Sequence, residues 1–159
     1  MMNEIRLYMM AGCPASGKSF TAKKLAEKLN CKIISRDEVR FSIVQDDEEY
    51  FSHETKVFNT FAKQIKEELL EKGICIADAT HLTLASRRKL INKLNISNLK
   101  VTVYFIKTPL NICIERNMNR TGRSFVPTGA IRRMFYTQEE PYVGELPEID
   151  LVEIAEQED

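Results

Sequence analysis

Tryptophan is absent, and glycine and proline are scarce, at six and five residues in 159. So little of either excludes a fibrous repeat or a low-complexity linker. An apolar share of 43% is too high for a disordered chain. No apolar run approaches the ~20 residues that a membrane-crossing helix needs. The apolar stretch from Leu7 to Ala11 is too short for a secretory signal, so a cytoplasmic protein is expected. The length is that of one domain, expected to run over residues 1–159.

Cysteine is also limited. Cys13, Cys31, Cys75 and Cys113 form no C-x-x-C pair and no metal-ligand spacing. Cys31, Cys75 and Cys113 lie in apolar patterns, where a reduced thiol packs as a small hydrophobe. His53 and His81 have no partner at a ligand spacing, so zinc is not expected. Net charge is zero, but its distribution is uneven. Residues 87–133 carry eleven Lys and Arg against the single acid Glu115, whereas residues 134–159 carry nine acids and no base. A basic middle third beside an acidic tail can present a local positive field that the total conceals.

What is present is an alternation of short apolar runs with amphipathic stretches. Ile5 to Ala11 reads as a buried strand stopped by Gly12, and Lys18 to Leu29 has apolar residues at helical spacing. Cys31 to Ile34 reads as a second strand, with Ser35 placed to cap a helix starting at Arg36. Asp46 to Lys72 reads as one long helix, its stripe including Phe51, ended by Gly73. A third strand, Ile74 to Ala77, terminates on Asp78, and helix Leu84 to Leu94 follows. Lys100 to Ile106 is the fourth strand, and Pro109 opens a helix to about Asn119. A polar loop from Thr121 to Pro127, a short helix to Tyr136 and a fifth strand from Ile149 to Ile154 complete the chain. This pattern predicts an α/β fold with a mainly parallel five-stranded sheet and helices on both faces.

One motif decides the chemistry. Gly12, Cys13, Pro14, Ala15, Ser16, Gly17, Lys18 and Ser19 match G-x-x-x-x-G-K-[ST] in full, between an apolar strand and a helix. The glycines let successive N–H groups face a phosphate, and the helix N-terminus adds its partial positive charge. Lys18 would reach the β- and γ-phosphates and the Ser19 hydroxyl would coordinate Mg²⁺, so ATP and Mg²⁺ are the expected ligands. Phe20, in the first turn of the helix, is grouped with the nucleotide-binding residues. An N-K-x-D motif for guanine is missing, and the third strand ends in one acid rather than the paired acids of a motor. The expected class is a P-loop NTPase fold serving a small phosphotransferase.

With Gly12–Ser19, the blocks Ser35-Arg36-Asp37-Glu38-Val39-Arg40, Asp78-Ala79-Thr80-His81-Leu82 and Arg116 to Pro127 stand in order over residues 5–135. In these blocks the chain resembles the 5′-kinase domain of phage-type polynucleotide kinase and the wider zeta-toxin-like group of small P-loop kinases. The resemblance implies an ATP-dependent kinase acting on the 5′-hydroxyl ends of RNA or DNA. It implies Asp37 as the base that takes the hydroxyl proton, a role for which phosphoryl transfer needs a carboxylate across the crevice from the phosphate loop. It also implies Arg40 as a grip on acceptor phosphate, against the plainer reading of a salt bridge to a neighbouring acid. It implies Asp78 as a contact to metal-bound water or acceptor, against that of a strand-end cap, and a lid over about 116–127. Arg120 is the favoured lid arginine, with Arg123 and Arg116 competing because the lid carries Thr121 as an extra residue. Arg87 and Arg88 read equally as acceptor contacts or as exposed helix residues. The phosphatase motif D-x-D-G-T of the two-domain phage enzyme is missing, so 3′-phosphatase activity is not expected. With no evident aromatic platform, little base preference is expected. Two other readings stand beside this one: a kinase of a small molecule such as a sugar, nucleoside, antibiotic or nucleotide-sugar, and a non-enzymatic ATP-gated module. No membrane partner is expected, and oligomeric state is open.

Overall fold

The structure, a computed structural model, describes residues 4–122 and 125–156. Five strands form one sheet: β1 (Ile5–Ala11), β2 (Ile33–Ser35), β3 (Ile74–Asp78), β4 (Leu99–Lys107) and β5 (Ile149–Glu156). Their order is β2-β3-β1-β4-β5, and every pairing is parallel. Each crossover runs through helix, as parallel strands require. The helices are α1 (Lys18–Leu29), α2 (Arg36–Ile43), α3 (Glu54–Lys72), α4 (Leu84–Leu94), α5 (Leu110–Met118) and α6 (Thr128–Thr137). No described helix is long and apolar enough to cross a membrane.

Alternation along β1 sorts the layers. Leu7, Met9 and Ala11 face the core beneath α3 and α4, whereas Tyr8 and Met10 pack with Ala22 and Leu25 of α1 on the other face. A third cluster joins Cys13 and Leu82 to Cys113, Ala130 and Ile131, holding α5 and α6 over the C-terminal ends of the strands. That end is where an open parallel sheet leaves a crevice, here between β1 and its neighbour β3.

The helix signals operate as read, with one exception. The Ser35 hydroxyl accepts from the Glu38 N–H, and Gly73 caps α3 in the left-handed region at φ 80°. Residues 46–53, expected inside the long helix, instead form turns, and α3 starts at Glu54. Four consecutive acids, Asp46 to Glu49, would crowd one helical turn with like charge. Glu48 instead turns its carboxylate onto the Gln45 N–H at 2.8 Å. Phe51, placed in the apolar stripe by that reading, is 42% exposed.

Arg87 also departs from expectation: it is neither an exposed helix residue nor an acceptor contact. It is fully buried and paired with Glu145 at 2.7 Å, and it donates to the carbonyls of His81 and Glu139 at 2.7 and 2.9 Å. One guanidinium thereby joins α4, the turn after β3 and the segment leading into β5. Removing one member strands the other charge in the interior. Arg87→Ala is therefore expected to destabilise the protein by about 3–5 kcal/mol, with Glu145→Gln in the same background recovering part of the loss, read from urea denaturation midpoints.

Candidate active site

The crevice begins where β1 stops. Gly12 has φ 147°, and a Cβ there would stand 2.8 Å from the Ile106 carbonyl and 2.9 Å from Ser16 Oγ, so no side chain fits. The Gly12 N–H donates to the Thr80 carbonyl at 2.9 Å, and Thr108 Oγ1 donates to the Ser16 carbonyl at 2.6 Å. Gly17 and Ala15 take left-handed conformations, at φ 104° and 63°. The loop is thus pinned from the β3 and β4 sides and delivers the chain into α1.

That helix starts bare. Gly17 at its N-cap offers no side-chain hydrogen bond, and no acid occupies the first turn. Its orphan N–H groups and positive end are left for an outside anion. In contrast, α2 is capped by Ser35 and carries Asp37 and Glu38 in its first turn. Lys18 is buried and donates to the Cys13 carbonyl at 3.0 Å. Burial pushes its ammonium below the usual lysine range, while Asp78 and Asp37 oppose that shift. A charge so poorly hydrated gains strongly from an entering phosphate.

A cavity of about 200 Å³ opens beside the loop, lined in part by Lys18, Ser19, Asp37, Arg40, Asp78 and Arg120. It brings together residues from α1, α2, β3 and the segment after α5. Ser19 Oγ donates to Asp78 Oδ2 at 2.8 Å. Asp37 Oδ1 accepts from Arg40 Nη1 at 2.6 Å and from the Tyr50 hydroxyl at 2.7 Å. Arg40 is itself buried and turns its remaining edge onto Glu54, at 3.0 and 3.1 Å. Glu54 also accepts from Arg36 at 2.9 Å, so α2 and α3 are fastened side by side. Burial, followed by the Asp37 charge, raises the Tyr50 hydroxyl above its ordinary range and keeps it a donor.

Over the opening, Arg116 Nη1 lies 3.4 Å from the Ala15 carbonyl, and Arg120 reaches the cavity lining. Arg123 lies outside the described residues. Cys13, Pro14, Ala15, Ser16 and Phe20 stand where the motif puts them; Phe20 is 60% exposed on α1 beneath the Lys24 ammonium. The Cys13 thiol is buried, which pushes it up to about 12, so it stays protonated and shielded from oxidants.

Three contributors have no role in the sequence reading. Tyr50 comes from the turns mistaken for helix. Thr108 anchors the loop from the end of β4. Asn117 lies wholly buried near the end of α5, where Nδ2 donates to the Val126 carbonyl at 2.6 Å and Oδ1 accepts the Val126 N–H at 3.0 Å. That two-way bond ties the end of α5 to the segment just before α6. Its only signal is an asparagine between arginines in an otherwise exposed stretch.

Ser19 and Asp78 supply a hydroxyl and a carboxylate, hard oxygen donors adjoining the phosphate loop. Few protein ligands plus waters and phosphate oxygens is how Mg²⁺ is held, so this pair suits that ion. Among the described residues, no group of three or more His, Cys, Asp or Glu is placed to hold a metal alone.

The model of the AAA domain family AAA_33 matches residues 7–141, which contain every one of these side chains. The chain belongs to that family. Among curated relatives of this AAA domain is L-seryl-tRNA(Sec) kinase of Methanococcus maripaludis, 28% identical over 153 residues. That alignment covers 90% of this chain but 57% of the relative, so the chain spans little more than half the relative's length. A sugar kinase from Janibacter sp. superposes with a TM-score of 0.67 at 14% identity, covering 97% of this chain and 86% of that one. A chain of the Pnkp1/Rnl/Hen1 complex superposes with a TM-score of 0.62 at 19% identity, covering 73% of this chain and 40% of that one. At such identities the superpositions establish the shared fold alone.

Behind the loop, His81 is buried at φ 39°, and its Nδ1–H donates to the Met10 carbonyl at 2.7 Å. Burial, against the pull of that bond, lowers it from 6.5 to about 4, so it is neutral when folded at neutral pH. The unfolded chain binds a proton near pH 6.5 and the folded one only near pH 4. Stability is therefore full above about pH 6.5 and falls as pH drops towards 4, by about 3 kcal/mol in all for this group. His81→Asn keeps a donor and tolerates the backbone, and denaturation curves across pH 7 to 4 should show its acid loss reduced by that amount.

Proposed function

We propose that this chain transfers the γ-phosphoryl group of ATP to a hydroxyl, and that the acceptor is the 5′-hydroxyl end of RNA or DNA. The observation that carries the reading is the Asp37 carboxylate, fixed by Arg40 and Tyr50 on one wall of the cavity whose other wall is Lys18 and the bare end of α1. A nucleotide-binding module without chemistry has no use for an oriented carboxylate there.

The roles follow from what each group can do. Backbone N–H groups from Gly12 to Ser19 and the N-terminus of α1 hold the β- and γ-phosphates. Cys13, Pro14, Ala15 and Ser16 shape that cradle, and Phe20 follows it in the first turn of α1. The acceptor oxygen attacks the γ-phosphorus as its proton passes to an Asp37 oxygen, and the bond to the β-phosphate oxygen breaks to release ADP. Arg40 and Tyr50 spend their donors on Oδ1, which leaves Oδ2 to receive the proton. Lys18 and Arg120 balance charge on the phosphoryl oxygens during transfer. Arg116 steadies the loop through the Ala15 carbonyl, and Arg123 is the alternative lid donor. Ser19 and Asp78 would hold Mg²⁺, which when bound neutralises phosphate charge.

The polynucleotide acceptor rests on the ordered blocks around Arg36–Arg40 and Arg116–Pro127, and on a curated relative that is a kinase of a tRNA-borne seryl group. One observation favours a second reading, a small neutral acceptor. Arg40, expected to grip acceptor phosphate, already donates to Asp37, Tyr50 and both oxygens of Glu54.

The test is transfer of labelled γ-phosphate from ATP to a short 5′-hydroxyl oligonucleotide, with a panel of sugars and nucleosides in parallel. Oligonucleotide labelling is expected, with kcat lowered by roughly 10²–10⁴ in Asp37→Asn and lost in Lys18→Ala. Labelling of a sugar or nucleoside but no oligonucleotide would transfer the reading to the small acceptor. Unchanged labelling by Asp37→Asn would remove the base assignment.

A further inference from the structure

The inward turn of Arg87 leaves α4 with a distinct outer face. Ala85, Arg88, Lys89, Asn92 and Lys93 are all exposed along it, and the helix contains no acid. None of the three cations forms an ion pair among the described residues. α4 packs beside α3, whose residues 55–66 carry Lys56, Lys63 and Lys66 and no acid either.

This face is joined to the cavity through one ring. Phe58 of α3 is 6% exposed, and the Lys89 ammonium lies 4.4 Å from its centroid. The Arg36 guanidinium, part of the cavity lining and paired there with Glu54, lies 5.7 Å from the same centroid. Cations therefore continue from the wall that carries Asp37, across Phe58, onto the exposed side of α4. Because α4 starts where β3 ends and runs back along the sheet, Lys93 lies one turn further from the cavity than Lys89.

We infer that the exposed face of α4 is a docking track for the phosphodiester backbone of a single-stranded nucleic acid whose 5′ end lies in the cavity. This rests on the polynucleotide reading above and extends it from the reacting end to the strand behind it. Backbone phosphates need only spaced, hydrated cations without competing carboxylates, and such contacts carry affinity without base selection. Lysines suit this because they are point charges with adaptable reach. The track also compensates for the engaged Arg40: the strand is held behind its first nucleotide, not at it.

Lys89→Glu/Lys93→Glu tests the face. Lys23→Glu/Lys28→Glu, on exposed positions of α1 across the sheet, makes the same change in net charge. Binding of a 3′-fluorescein single strand with a 5′-hydroxyl is followed by anisotropy without ATP, as a function of salt. The α4 variant should bind on the order of tenfold more weakly, with the slope of log affinity against log salt reduced by about 1.4, the value for two lost phosphate contacts. The α1 variant should match wild type. In the kinase assay, the α4 variant should raise KM for the oligonucleotide and leave kcat, and KM for a nucleoside 3′-monophosphate, unchanged. Absence of strand binding by wild type, an unaltered slope in the α4 variant, or an equal loss in the α1 variant would each overturn the track. Strand binding that depends on α4 without phosphorylation of any strand would keep the track and overturn the polynucleotide reading instead.

Discussion

A helix end without a cap is the constraint on which the rest of this molecule is arranged. α1 has Gly17 at its N-cap, no acid in its first turn and, as its first residue, a lysine that is almost out of water. Left alone, such an end is costly, since no side chain at its N-cap satisfies the first N–H groups. The surrounding structure holds it open all the same. Thr80 and Thr108 fix the loop from both sides, and the Ile106 carbonyl comes so near Gly12 that only glycine can stand there. Parallel strand order supplies the reason these fixings meet, because β3 and β4 flank β1 directly.

Around that opening, most polar groups are tied to one another rather than to solvent. Glu54 holds Arg36 and Arg40, Arg40 and Tyr50 hold Asp37, and Ser19 meets Asp78. Interlocked groups of this kind hold a fixed polar geometry toward any charge that enters the opening. Asn117 acts similarly, fastening the end of α5 to Val126 ahead of α6.

Charge has two distinct uses in the basic middle of the chain. Arg87 and Arg88 are adjacent in sequence, yet one is wholly buried against Glu145 and the other lies on the open face of α4. The buried one organises the approach to β5, and the exposed one belongs to a row of cations beside the cavity. Part of the acidic tail is consumed in the same way, since the Glu145 carboxylate is covered in its pair with Arg87 and Asp150 pairs with Arg6 at 2.8 Å.

The sequence by itself determined the strands, the glycine stops and the phosphate loop, because these depend on local periodicity and on backbone angles that few residues adopt. Ile5–Ala11, Gly73 and Gly12–Ser19 are legible for that reason. Tertiary structure alone decided that Arg87 faces inward, that the turns at 46–53 deliver Tyr50 to Asp37, and that Asn117 binds Val126. Each of these pairs residues from separate elements or across a loop, and no spacing along one helix or strand encodes which of several polar groups will find a buried partner. A charged side chain reads the same in sequence whether water or a carboxylate receives it; only the packed structure distinguishes the two.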